Sequence, residues 1–192
     1  MKTFLLSAAL AASLLTPAAA NAQAVPAAVI AVVDLDRVTT ECNACKTAAA
    51  TLRAQLTSLQ NRRNALAGPI QTEAQSLQTA VTALNGKDPD AALQARIKAF
   101  QQRQQTASNE LQNSEQQLER NTAYVRQQIG TKLGPIYKSV MQRRGANVML
   151  EAGSTLAATN SVDVTNDVLA GLNASLTTIS TTAPAQQQPQ GR

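Results

Sequence analysis

The chain has 192 residues, of which 44% are apolar but only 2% aromatic, with a net charge of +5 and no histidine or tryptophan. The lack of histidine excludes catalytic pairs and triads that use an imidazole base, and it removes the commonest zinc ligand. Few aromatic side chains argue against stacking of single-stranded nucleic acid, so the composition favours a helical protein with a small aliphatic core over an enzyme.

Residues 1–22 have the pattern of an export signal. Lys2 supplies the positive charge, residues 4–15 form the apolar stretch, and residues 20–22 (Ala-Asn-Ala) match a cleavage site, with cleavage after Ala24 as the alternative. The apolar stretch is shorter than the ~20 residues that a membrane-spanning helix needs. We therefore expect an exported, soluble protein that loses this segment.

Residues 23–36 predict the first strand of a small body. Residues 29–33 (Val-Ile-Ala-Val-Val) form a continuous apolar run, typical of a strand that is buried on both faces. Asp34 ends the run, and Asp34, Asp36 and Thr39 have side chains that favour the start of a helix.

Residues 37–144 predict a long antiparallel hairpin of two helices, a coiled-coil arm. Apolar residues recur every three or four positions through residues 38–84 and again through residues 93–140, as in the seam of a coiled coil. Residues 85–90 (Asn-Gly-Lys-Asp-Pro-Asp) predict the tight turn between the two helices, which must then run antiparallel.

Two proline residues interrupt this arm. At Pro69 we expect a kink rather than an end of the helix, because the seam resumes in register at Ile70. Pro135 is expected to bend or break the returning helix. Residues 143–145 (Arg-Arg-Gly) close that helix, with cations at its negative end and glycine as the C-cap.

Residues 145–173 predict the remainder of the body. Residues 147–151 indicate a second short strand and residues 154–158 a third, and residues 163–165 (Asp-Val-Thr) cap a short last helix. The whole chain is therefore expected to be α+β and mostly α.

The last segment, residues 174–192, consists mainly of Thr, Ala, Pro and Gln and is expected to be disordered, because it has too few apolar residues to bury a core. The body that remains is very small. One copy is expected to bury too little apolar area to offset its chain entropy, and oligomerisation is the usual remedy.

Charge is distributed unevenly along the chain. Residues 37–144 carry fifteen Lys and Arg against seven Asp and Glu, whereas the charged residues of the predicted body are all acidic. A basic arm on an acidic body is either a binding feature or a solubility feature of exposed helices, and the sequence leaves both open. The export signal argues against nucleic acid as the partner.

Cys42 and Cys45 are the only residues with reactive chemistry. A C-x-x-C pair near a helix N-terminus in an oxidising compartment is either a redox pair or a structural pair, bridged or buried. Both cysteines fall on the predicted seam, and no thioredoxin-like βαβ pattern accompanies them, which favours the structural role. Two thiols without histidine leave a zinc site short of ligands.

Four segments resemble, in order and spacing, the Skp/OmpH family of periplasmic chaperones. They are residues 30–34 (Ile-Ala-Val-Val-Asp), 135–138 (Pro-Ile-Tyr-Lys), 147–150 (Asn-Val-Met-Leu) and 163–165 (Asp-Val-Thr). Together they bracket nearly the whole chain after the signal. The cysteine pair and the low aromatic content depart from the family pattern, and the latter predicts many weak client contacts rather than tight apolar binding.

The resemblance implies an ATP-independent holdase that keeps unfolded outer-membrane proteins soluble, and the residues themselves predict no catalytic, cofactor or metal site. It also implies a homotrimer, in which strands of three chains form one shared barrel and three helical arms enclose the client. The sequence has no Gly-rich phosphate loop, which agrees with ATP independence. Contact with a membrane surface or lipopolysaccharide is left open.

Two groups of residues are candidate sites on this interpretation. The candidate oligomer residues lie on the body strands: Val29, Ile30, Val32, Val33, Val148 and Leu150. The candidate client-facing residues lie towards the tip of the arm, where apolar seam positions meet a basic rim: Ile70, Leu77, Val81, Leu84, Lys87, Leu93, Arg96, Ile97, Lys98, Phe100 and Arg103. For any one apolar residue of this second group, holding the two helices together is the more frequent role.

Two other functions remain open from the sequence. An exported thiol–disulfide oxidoreductase would use Cys42 and Cys45. A structural envelope protein would use the arm as a rigid coiled-coil spacer that binds one fixed partner.

Overall fold

A computed structural model describes residues 25–185, so the predicted signal peptide lies outside the described residues. The chain order is β1 (Ile30–Val33), α1 (Leu35–Glu41), α2 (Asn43–Ala83), α3 (Ala91–Arg144), β2 (Val148–Glu151) and α4 (Thr165–Ser175), with short 3-10 turns at Ala152–Ser154 and Asn160–Val162. The protein is mostly helical with one small sheet. None of the helices in this part of the chain is long and apolar enough to cross a membrane.

The sheet has two parallel strands, with Ile30 opposite Val148 and Val33 opposite Glu151. The other edge of β1 is also occupied, because the backbone N–H of Val164 donates to the carbonyl of Val32 at 2.9 Å. β1 is therefore the central element of the sheet, and its residues after Ile30 are buried, as the continuous apolar run predicts.

The third strand predicted at residues 154–158 is wrong. The hydroxyls of Ser154 and Thr155 both donate to the carbonyl of Glu151, at 2.9 and 2.8 Å. These local hydrogen bonds turn the chain away from an extended course directly after β2.

The helix predicted to run unbroken from residue 38 is divided at Cys42. α1 ends one residue before Cys42 and α2 begins one residue after it, and Cys42 itself has an extended backbone with ψ 131°. Two contacts take up N–H groups at the start of α2: Cys42 Sγ accepts from Cys45 N at 3.2 Å, and Asn173 Oδ1 accepts from Asn43 N at 2.9 Å. A cap from a distant helix cannot be seen in the heptad pattern.

The two long helices, α2 and α3, pack side by side, and we call them the helical pair. The contacts between them are Gln55 with Asn121, Arg62 with Glu110, and Glu73 with Arg96. Because the residue numbers increase along α2 while those of their partners decrease along α3, the two helices run antiparallel. The turn between them contains two residues with positive φ, Asn85 and Gly86.

Both helices continue through their proline residues. Pro69 lies inside α2 and Pro135 inside α3. The prediction that Pro69 does not end its helix is therefore right, and a break of α3 at Pro135 does not occur. Gly145 ends α3 in the left-handed conformation with φ 66°, as the Arg-Arg-Gly sequence predicts.

One chain builds its own hydrophobic core, contrary to the expectation for an undersized body. The core is formed where β1, α1, the start of α2, the end of α3 and α4 meet. Val38, Val140, Val168 and Leu172 are completely buried there. The base of the helical pair supplies the apolar area that the predicted body lacks, because both long helices extend into it.

The disorder predicted from residue 174 is wrong for its first part. α4 extends to Ser175, Leu176 is buried, and Ile179 packs against the core. Residues 180–183 then form hydrogen bonds with the helical pair. We call residues 176–185 the C-terminal segment; residues 186–192 lie outside the described residues.

Candidate functional site

The apolar candidates at the tip of the helical pair are mostly turned inward. Leu77 is buried, and Ile70, Leu84, Leu93, Ile97 and Phe100 are half-buried where α2 and α3 contact each other. Val81 alone of this group is exposed. Most of the predicted seam therefore holds the two helices together, and little apolar surface remains at the tip.

The basic rim at the tip is partly neutralised. Arg96 and Arg103 both face Glu73, with nitrogen–oxygen distances of 3.2 and 3.7 Å. Lys87 and Lys98 are exposed and form no ion pair with any of residues 25–185. The free positive charge of this rim is therefore carried by the two lysines.

Further along the helical pair, two arginines of α2 contact two glutamates of α3. Arg62 Nε lies 2.5 Å from Glu110 Oε1, and Arg63 contacts Glu115. The hydrogen bond from Arg62 lowers the pKa of Glu110, and the same bond raises the pKa of Arg62. All four side chains are exposed to solvent, so these pairs define the register of the two helices more than they stabilise them.

These ion pairs were not predicted from the sequence. Arg62 and Glu110 lie at almost the same distance in sequence from the turn at residues 85–90. That symmetry could have identified them, since an antiparallel hairpin brings such positions together.

Shallow grooves run between the two helices in the same region. One groove of about 480 Å³ has Leu56, Leu59 and Leu118 among its lining residues and the Arg63–Glu115 pair at its rim. A second groove of about 500 Å³ has apolar residues including Leu66 and Ile70, with Arg62 and Arg103 beside them. Apolar floors with charged rims can hold an extended chain by many weak contacts rather than by one deep pocket.

The candidate oligomer residues fall into three groups by burial, and Val148, opposite Ile30 in the sheet, is half-buried. Val32 and Val33 are buried within one chain, so their burial does not require a second copy. Val29, Ile30 and Leu150 are 49%, 43% and 41% exposed. These three residues leave an apolar surface on the body, and β2 has only β1 as a neighbour among the described residues.

Cys42 and Cys45 are joined by a disulfide with a Cα–Cα distance of 5.1 Å. Both side chains are buried, and Cys42 lies in the core. Within residues 25–185 there is no group of three or more His, Cys, Asp or Glu that could hold a metal ion. The cysteines thus join α1 to α2 at the base of the helical pair.

The protein belongs to the class in which a small body of strands and short helices carries one long pair of antiparallel helices. Its sequence also identifies the family. The family profile of outer membrane protein (OmpH-like) matches residues 29–172. The chain therefore belongs to the OmpH-like family, which confirms the resemblance seen in the sequence.

The fold is shared with a solved structure. A crystal structure described as an outer membrane chaperone (OmpH-like) from Caulobacter crescentus superposes with a TM-score of 0.68, covering 86% of this chain and 96% of the other. The two sequences are 17% identical, so this likeness concerns the fold. No curated protein matches the sequence.

Proposed function

We propose that the protein is an ATP-independent periplasmic holdase that binds unfolded outer-membrane proteins and prevents their aggregation. The observation that carries this proposal is the helical pair itself: two long exposed helices with shallow apolar grooves and charged rims, in a chain of the OmpH-like family. Such a surface suits a partner without a fixed shape.

A homotrimer with a shared barrel is the second part of the proposal. The exposed apolar residues Val29, Ile30 and Leu150 support it, because apolar surface around a strand edge is usually covered. Leu156, in the loop between β2 and α4, is a further apolar residue that is fully exposed. Three copies would place three helical pairs around one space, where effective concentration replaces a deep pocket.

Location in the periplasm is supported by two features. Residues 1–22 have the pattern of an export signal. The Cys42–Cys45 disulfide is of a kind that forms and persists in oxidising compartments such as the periplasm.

The direct test is light scattering of a porin diluted from denaturant, with and without the mature protein. We expect scattering to be suppressed at one trimer per porin, while an equal mass of an unrelated helical protein has no effect. Unchanged scattering at that ratio would contradict the holdase function. The mass of the mature protein in solution tests the second part, and a monomer would contradict the trimer.

The structure gives less support to an exported oxidoreductase. Both cysteines are buried at the junction between α1 and α2, whereas a redox-active cysteine needs to be accessible to its substrate. That function would be favoured if the wild-type protein reduces insulin and a Cys42→Ser/Cys45→Ser variant does not. Tight, saturable binding of one folded partner would favour an envelope spacer instead.

A further inference from the structure

The C-terminal segment lies along the helical pair in a defined direction. Leu176 and Thr178 lie beside Thr131 and Lys132 of α3, Ser180 contacts Gln128, and Ala183 contacts Asn121. The segment therefore runs from the body towards the tip, antiparallel to α3. Leu176 and Ile179 anchor its start in the core, whereas residues 180–183 are held by hydrogen bonds.

These hydrogen bonds all use the backbone of the segment. Gln128 Oε1 accepts from Ser180 N at 3.0 Å and Gln128 Nε2 donates to Ser180 O at 2.9 Å. Gln55 Nε2 donates to Thr181 O at 3.2 Å, and Asn121 Oδ1 accepts from Ala183 N at 2.8 Å. The Ser180 hydroxyl bonds only within the segment, to Thr182. The helical pair thus contacts the segment through groups that every non-proline residue has.

The amides on the helical pair are held in place before they meet the segment. Asn121 is buried, its Nδ2 donates to Gln55 Oε1 at 2.9 Å, and its Oδ1 accepts from Gln117 Nε2 at 2.8 Å. Side-chain amides carry a donor and an acceptor together. A row of such amides therefore presents hydrogen-bond donors and acceptors to an extended chain, as the edge of a β-strand does. These groups bind backbone and do not select among side chains.

The same face continues open beyond Ala183. A groove of about 430 Å³ runs on between the helices, with Leu59 and Leu118 among its apolar residues and Ser58, Arg62 and Ser114 among its polar ones. Gln55 and Asn121 line this groove as well as binding the segment, so the bound backbone and the open groove form one continuous track.

We propose that the amide row of Gln55, Asn121 and Gln128 is a binding site for extended polypeptide backbone, which residues 180–183 occupy in the free protein and an unfolded client takes over. This inference deepens the proposed function by naming a client site. An unfolded outer-membrane protein is rich in extended segments with free N–H and C=O groups. The C-terminal segment would act as a tethered competitor that occupies the amide row when no client is present.

Amide hydrogen exchange of the full-length mature chain tests the inference directly. In the free protein we expect the N–H groups of Ser180 and Ala183 to exchange slowly, because both are hydrogen-bonded to the helical pair. When an unfolded porin is bound, their exchange should become at least about tenfold faster, because displacement leaves them in water. The N–H of Gly145 is the reference: it donates to the carbonyl of Gln142 at the end of α3, and its exchange rate should not change when the porin binds.

The two possible failures are distinguishable. If the porin does not bind at all, the holdase function fails. If the porin binds and the protection of Ser180 and Ala183 is unchanged, the amide row is not the client site, and the holdase function stands on other surfaces.

Variants of the full chain give a second measurement. Ser180→Pro/Ala183→Pro removes both N–H donors and should release residues 180–183, whereas the matched Ser180→Ala/Ala183→Gly variant keeps them and should leave the segment bound. The probe is a fluorescent peptide with the sequence of residues 178–185, together with a scrambled version. The proline variant should bind both peptides with similar affinity and at least about tenfold more tightly than the matched variant, because the tethered competitor is gone.

Substitutions on the helical pair complete the test. Gln128→Ala in the proline variant should weaken binding of both peptides, whereas Gln116→Ala, on the same helix, exposed and outside these grooves, should not. Binding of the original peptide but not the scrambled one would overturn the inference, because it would show that the site is specific for the sequence of the chain's own C-terminal segment. Equal binding in the Gln128→Ala and Gln116→Ala variants would overturn it too.

Discussion

Gly171 of α4 lies directly against Ile136 of α3: a Cβ atom on Gly171 would come within 2.9 Å of Ile136 Cγ2. Ile136 is buried and branched at its own Cβ, so this methyl group has little freedom to move away. The glycine lets α4 approach α3 closely enough for Val168 and Leu172 to enter the core.

We expect Gly171→Ala to destabilise the protein by about 1–3 kcal/mol through overpacking, in spite of the better helix propensity of alanine. Gly130→Ala is the matched control, because a Cβ there meets nothing within 4 Å. It should stabilise the protein by about 0.5–1 kcal/mol. Urea denaturation of both variants measures the difference, and equal effects would contradict the close packing of α4 on α3.

The buried and exposed residues of the body strands should respond differently to a charge. Val32→Asp places an unpaired charge in the core of one chain and should unfold the protein, since such a charge costs several kcal/mol. Leu150→Asp lies on the exposed apolar surface and should dissociate the proposed trimer while the helicity of each chain is retained. Sedimentation and circular dichroism separate the two results.

Val81→Asp, an exposed position on the helical pair, is the control for that comparison and should keep both assembly and helicity. If Leu150→Asp sediments like the wild-type protein, the apolar surface around β2 is not a subunit interface.

Client capture should depend on the free positive charge at the tip. Lys87→Gln/Lys98→Gln removes two charges that are not paired, and it should slow capture of an acidic client at low salt without changing the melting temperature. Arg96→Gln/Arg103→Gln removes the same charge but also leaves Glu73 without partners, so it should slow capture and destabilise the helical pair slightly.

Salt is the control for the charge prediction, because attraction between exposed charges is screened over ~8 Å at physiological ionic strength. The difference between wild type and the lysine variant should therefore disappear as salt rises. Stopped-flow capture at two salt concentrations measures it. If the lysine variant captures the client at the wild-type rate at low salt, the positive charge of Lys87 and Lys98 serves solubility and not client capture.

Acid should weaken the start of α4. Asp163 Oδ1 accepts from Thr165 N at 2.8 Å, and hydrogen bonds from the side chain and backbone of Thr165 lower the pKa of Asp163 below its ordinary value of 3.8. Because the folded pKa is the lower one, this contribution to stability is present above pH ~4 and is lost as the pH falls through the folded pKa.

Asp163→Asn should therefore destabilise the protein at pH 7 by less than about 1 kcal/mol, since the residue is exposed, and the difference from wild type should shrink towards pH 3. Denaturation at the two pH values measures this. Asp88→Asn, in the exposed turn, should match the wild type at both, and an equal Asp163→Asn deficit at pH 3 and pH 7 would contradict the prediction.

Several elements were predictable because their signals are local. The apolar run at residues 29–33, the turn at residues 85–90 and the Arg-Arg-Gly end of α3 each depend on a few neighbouring side chains, and the structure places a strand, a turn and a helix end there. The Arg96 and Arg103 pairs with Glu73 were not seen, because they join positions more than twenty residues apart.

By itself, the sequence determined the family, the two long helices and the central strand, since periodicity, capping residues and continuous apolar runs act over one or two turns of chain. Only the tertiary structure decided which surfaces are left uncovered. It buries Val32 within one chain, leaves Leu150 exposed, divides the first helix at Cys42 through a cap from Asn173, and lays residues 180–183 along Gln55, Asn121 and Gln128. Each of these outcomes depends on partners that are distant in sequence, and a polar residue such as Asn121 reveals its role only when its hydrogen-bond partners are brought beside it.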